Sequence, residues 1–88
     1  MSANDHAVAA RLRIVMQGIE EEQVGYDAGI RQLLALVQEL HGVPASWKDK
    51  LLELCNELEL VAGDEYRVAG IMERIDTAVD RILGRPAA

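Results

Sequence analysis

The sequence predicts an all-α fold: an antiparallel hairpin of two long helices, over about 4–41 and 47–83, completed to a four-helix bundle by a second copy. Three observations carry this expectation. Leu12, Met16, Ile19, Gln23, Tyr26, Ile30, Leu33, Val37 and Leu40 recur at alternating four- and three-residue steps, as do Trp47, Leu51, Leu54, Leu58, Val61, Glu65, Val68, Met72, Ile75, Val79 and Ile82. Such a stripe keeps facing a neighbouring helix over many turns, as in a coiled coil. The two ladders mirror each other about His41-Gly42-Val43-Pro44-Ala45-Ser46, so that rung meets rung when the chain folds back there. Half of the 88 residues are hydrophobic, but with no Phe, one Trp and two Tyr the core must come from Leu, Ile, Val, Ala and Met, a helix composition.

The first helix is expected to start near Ser2 to Asp5, where short polar side chains accept from unpaired amides. It is expected to end at Gly42, with His41 at the negative end of the dipole and Pro44 beyond. Ser46 then reads as the N-cap of the second helix and Asp49, three positions on, as a variant capping box. Trp47 and Val43 close the seam over the turn, and Gly84 and Pro86 end the helix. Residues 1–3 and 85–88 are expected to fray from a single domain spanning 1–88.

Gly25 and Gly63 interrupt the arms, and Asp64 offers a cap for a new helix. The heptad phase passes both glycines without slipping, which favours continuous helices of roughly 57 Å at 1.5 Å per residue. The alternative is a monomeric four-helix bundle with breaks near 25 and 63. Each glycine inside a helix costs about 1 kcal/mol relative to alanine, and their positions are mirrored, Gly18 with Gly70 and Gly25 with Gly63. Close backbone approach or a shared bend would account for that.

A two-helix hairpin leaves apolar surface outside its seam. Val15, Leu34, Leu36, Cys55, Ala62, Ala69 and Ile71 flank the seam and are expected to bind a second copy or a partner, while Ile14, Val24, Leu52, Leu60 and Tyr66 fall further round. Gln23 and Glu65, the one polar rung on each ladder, read as a pair that sets register, because a slipped polar group would be buried without a partner. Glu20, Glu21, Glu22 and Asp64 form an acidic belt at mid-rod, suited to a basic partner surface.

A formal charge of −6 at pH 7 argues against direct nucleic-acid binding, which needs phosphate-neutralising Lys and Arg. The start of the chain has no secretory pattern and no stretch is long enough to span a bilayer, so a cytoplasmic protein is expected. One cysteine excludes an internal disulfide. No phosphate loop, zinc spacing, calcium loop or nucleophile elbow is present, and neither histidine has the Glu three residues before it that bundle di-metal sites use. No catalysis, cofactor or metal is expected. The expected function is a protein-protein interaction module, an adaptor, small chaperone or assembly factor working through the apolar flanks and the acidic belt. The alternative is a small acidic inhibitor, of antitoxin, immunity or nucleic-acid-mimicking type, that blocks a basic site.

Overall fold

The computed structural model describes residues 3–84, and among them are four helices and no strand: α1 (Ala3–Glu20), α2 (Tyr26–Gln38), α3 (Ala45–Leu60) and α4 (Glu65–Leu83). α1 packs on α2 and α4, and α3 packs on the same two, giving an up-down-up-down ring around one core. The principal extents are 35 × 24 × 20 Å. The expected hairpin of two unbroken helices is thus corrected: each arm folds back on itself, as the four-helix alternative has it. The outermost residues at both ends, Ser2 and Pro86 among them, lie outside the described part.

The breaks have local causes. After α1 the Glu22 N–H donates to the Ile19 carbonyl at 3.1 Å and the Gln23 N–H to the Gly18 carbonyl at 2.9 Å, with Glu22 at φ 59°. That is the Schellman helix ending, with a left-handed residue just past the last turn. Val24 then packs over Gly18, where an added Cβ would lie 3.0 Å from its Cγ2. The second break turns on Gly63 at φ 97°, and Asp64 caps α4 by accepting from the Arg67 N–H at 3.2 Å. α4 closes on Gly84, left-handed at φ 77°.

The heptad phase survives both breaks because the residues on either side still face inward. Ile19 is buried and Tyr26 half-buried across the first break, and Val61 and Val68 are both half-buried across the second. Only the polar rung is lost from each ladder. Gln23 lies in the first turn and Glu65 begins α4, both exposed, so neither sits in an apolar seam. The polar rungs mark where the helices stop.

Helix boundaries near the central link are also corrected. α2 ends at Gln38, ahead of Gly42, and the cation at its end is Lys48, whose Nζ donates to the Gln38 and Leu40 carbonyls at 3.3 Å each. α3 starts at Ala45 behind Pro44, with no side-chain cap, so Ser46 is already inside the helix. The Pro44 carbonyl receives the first N–H groups, from Trp47 at 3.0 Å and Lys48 at 3.3 Å.

Leu12, Leu33, Leu51, Leu54, Leu58, Ile75 and Val79 form the centre of the core. Two tertiary ties hold the ring. Arg13 of α1 reaches two carboxylates one turn apart on α4, Nε to Asp76 Oδ1 and Nη2 to Asp80 Oδ1, both at 2.8 Å. Asp5, fully buried, accepts from the His41 and Gly42 N–H groups at 2.9 Å each, pinning the start of α1 to the α2–α3 link. Beside that link Arg81 stacks 5.4 Å from the Trp47 ring centre. Near the opposite end α1 and α2 approach closely, since a Cβ on Gly29 would lie 2.4 Å from Ile19 Cγ1.

Candidate functional site

Folding each arm in half turns the middle of a rod into the end of a bundle. The acidic stretch expected at mid-rod therefore lies at one pole, where the α1–α2 and α3–α4 turns meet. Glu20, Glu21, Glu22 and Asp27 stand about the first turn, and Glu57, Glu59, Asp64 and Glu65 about the second. Arg31 and Arg67 stand near the same turns and Arg74 shares a groove with Glu57; Arg67 already pairs with Asp64 at 3.4 Å. Carboxylates outnumber cations about these two turns, as they do over the whole chain, whose formal net charge is −6 at pH 7. The field of the protein is thereby concentrated at one end.

The remaining charge is nearly balanced and largely structural. Arg13 is held between Asp76 and Asp80, and hydrogen bonding, to Asp80 above all, pushes the guanidinium pKa up. Lys48 serves the end of α2 and Arg81 covers Trp47.

The acidic pole also carries the most exposed large apolar side chains. Leu60, the last residue of α3, is 84 % exposed and Tyr66, the second residue of α4, is 91 % exposed. They border a shallow groove on the α3–α4 face whose lining includes Val61, Gly70 and Ile71 together with the charged Glu57, Arg67 and Arg74. On another face Ile14, 66 % exposed, stands over a groove between α1 and α2 with Arg11 and Glu39 on its edges. A cleft of about 720 Å³ between α1 and α4 has Met16, Met72 and Ala69 in its lining and Glu20, Glu21 and Glu73 along its edge.

The residues expected to flank a hairpin seam are divided by the fold. Leu36, Cys55 and Ile71 are buried within the chain, and Val15 and Leu34 are half-buried against its core. Ala62 lies exposed in the second turn and Ala69 exposed on α4. The continuous flank of a rod does not exist in the bundle. Of the acidic belt, Glu20, Glu21, Glu22 and Asp64 are all exposed and share the pole.

Cys55 has no exposed surface, and burial pushes its thiol up to about 11. A thiol so raised supplies little thiolate near neutrality. Tyr26 is shifted upward by burial, and its hydroxyl donates to the Leu58 carbonyl at 3.3 Å. Among the described residues, no three or more His, Cys, Asp and Glu side chains converge on a possible metal position, and no helix is long and apolar enough to cross a membrane. No family model, curated protein or solved structure matches this chain.

Leu60 and Tyr66 were legible only as residues off the ladder. Their signal was that two large apolar groups straddle Ala62-Gly63-Asp64, a break that removes them from any helix seam. Asp5 gave no signal as a tertiary clasp, because an Asp in a first turn has a sufficient local reading as a cap.

Proposed function

We propose that this protein is a non-catalytic protein-protein interaction module, of the adaptor, small-chaperone or assembly-factor kind, which docks a basic partner surface at its acidic pole. The observation that carries the reading is the gathering of the surplus carboxylates at one end beside Leu60 and Tyr66. Clustered charge speeds encounter with a cationic partner and orients it, while the apolar side chains supply contact area that charge alone does not. The same pole supports a narrower second reading, a regulatory inhibitor that covers a basic nucleic-acid-binding site, because a dense row of carboxylates presents the sign of charge that such a site is built to hold.

A second copy was the expected cover for the apolar flanks. Leu36, Cys55 and Ile71 are now covered by the chain's own helices, so the reason for self-association has largely gone. The test of the reading is binding of a lysine-rich peptide to the protein and to a Glu20→Gln/Glu21→Gln/Glu22→Gln variant at rising salt. The expected result is tighter binding by the parent, with affinity dropping about tenfold between low and physiological salt as exposed charges are screened. Equal binding by both proteins, indifferent to salt, would remove the pole from the reading.

A further inference from the structure

The cleft of about 720 Å³ between α1 and α4 differs from the other grooves in the charge that its lining leaves unanswered. Its carboxylates are Glu20, Glu21, Glu73 and Asp76, and its cation is Arg13. Arg13 is already engaged. Its Nε and Nη2 hold Asp76 and Asp80 at 2.8 Å each, and Nη2 also reaches the Asp76 carbonyl at 3.3 Å. Glu20, Glu21 and Glu73 are exposed and make no ion pair among the described residues; Glu21 accepts from the neutral amide of Gln17 at 3.4 Å. The α3–α4 groove, with Arg67 and Arg74 beside Glu57, and the α1–α2 groove, with Arg11 beside Glu39, show no such excess. Between the carboxylates the lining is apolar. Met16 of α1 and Met72 of α4, both buried, close it from below, and the exposed Ala69 is too small to fill the space beside them. Thioethers adapt to whatever lies on them.

We infer that the α1–α4 cleft receives a lysine- or arginine-rich segment of a partner protein, with the stems of its basic side chains over Met16, Ala69 and Met72 and their cations on Glu20, Glu21 and Glu73. Lysine and arginine suit such a lining because each is aliphatic along its length and charged at its tip. A space of this size is in the range of ligand pockets and takes several such groups rather than one. The inference rests on the proposed docking role of the acidic pole and extends that surface along α4 to Glu73, about two turns into the helix. Charge selects the occupant. A second copy carries the same net −6 and nucleic acid is anionic, so either would bring negative charge to a negative cleft, which like-charge repulsion opposes.

The experiment uses a short, fluorescently labelled peptide of alternating arginine and alanine, and a control in which citrulline replaces each arginine, keeping the shape and removing the charge. Binding is measured by fluorescence anisotropy against the parent protein and the variants Ala69→Arg, Gly70→Arg and Glu73→Gln, with melting temperatures recorded for each. Ala69→Arg places a cation of the chain's own in the cleft. Gly70→Arg brings the same charge to the same level of α4 but into the α3–α4 groove, where a Cβ would meet nothing within 4 Å. The arginine peptide should bind the parent about tenfold more tightly than the citrulline peptide, and Ala69→Arg should weaken it about tenfold. Gly70→Arg should weaken it no more than about threefold, and Glu73→Gln, which lies beyond the pole, by about threefold. Equal weakening by Ala69→Arg and Gly70→Arg means that the peptide reads only the general field, which overturns the cleft and leaves the pole as a docking surface. Affinity unchanged in both Ala69→Arg and Glu73→Gln overturns the cleft as well. Equal binding of the two peptides, or none by either, overturns the cleft and the docking pole together. A concentration-dependent dimer abolished by Ala69→Arg would overturn the basic partner and assign the cleft to a second copy.

Discussion

At the residue scale two buried groups carry the clearest consequences. Asp5 accepts two backbone N–H groups from the α2–α3 link, and hydrogen bonds to a charged acceptor contribute more than neutral ones. Asp5→Asn keeps the shape but turns an amide NH2 toward one of those donors. It should cost about 2 kcal/mol in urea unfolding, and a loss below a few tenths would show that the clasp does not hold the link. Cys55 makes a second point. Its thiol is raised from 9.0 in an open setting to about 11 in the fold, so the neutral form is favoured by folding. Stability from this group is whole below pH 9 and is lost as pH rises toward 11, because the unfolded chain releases its proton first. Unfolding at pH 10.5 should therefore need less urea than at pH 8, with Tyr26 acting in the same direction further up. Cys55→Ala should flatten the part of that decline due to the thiol; an identical decline in the variant would refute the assignment.

At the scale of elements, the question is why the arms break where they do. The mirrored glycines Gly25 and Gly63 are both found at the breaks, but they do different work. Gly63 supplies a left-handed residue at φ 97°, whereas Gly25 sits in an extended conformation before α2. The left-handed position of the first break is filled by Glu22, a residue with a Cβ that is disfavoured there by about 1 kcal/mol. Glu22→Gly should therefore raise unfolding stability by roughly 0.5–1 kcal/mol despite the added freedom of the unfolded chain. The check is a urea titration beside Glu22→Gln, which removes the charge and keeps the strain. If Gln stabilises as much as Gly, the gain belongs to relief of the acidic pole and the backbone account fails.

At the scale of the whole molecule, breaking both arms shortens the molecule and redistributes its surfaces. A continuous hairpin would extend roughly 57 Å, while the bundle measures 35 Å in its longest direction. Small-angle scattering with light scattering should return a compact monomer whose longest dimension is close to the bundle's once hydration is allowed for. An elongated dimer would restore the hairpin and the second copy together. The helical class, the central turn and the inward-facing residues were all readable from the ladders, because burial of an apolar stripe depends on local spacing. The acidic residues were readable too, though their place as a pole was not.

The sequence by itself determined that this chain is helical, that it reverses about Gly42 to Pro44, and which apolar ladder residues face inward. Periodicity and turn chemistry are local, so they are written in the order of residues. Tertiary structure alone decided whether the polar rungs Gln23 and Glu65 were register pins or the ends of helices, because the same spacing serves a straight arm and a folded one. It also decided that Asp5 clasps a link 36 residues away, that Leu60 and Tyr66 stay outside the core, and that Gly70 borders a groove. Each of these depends on which surfaces come together after the chain has turned, and the linear spacing of apolar residues does not specify that.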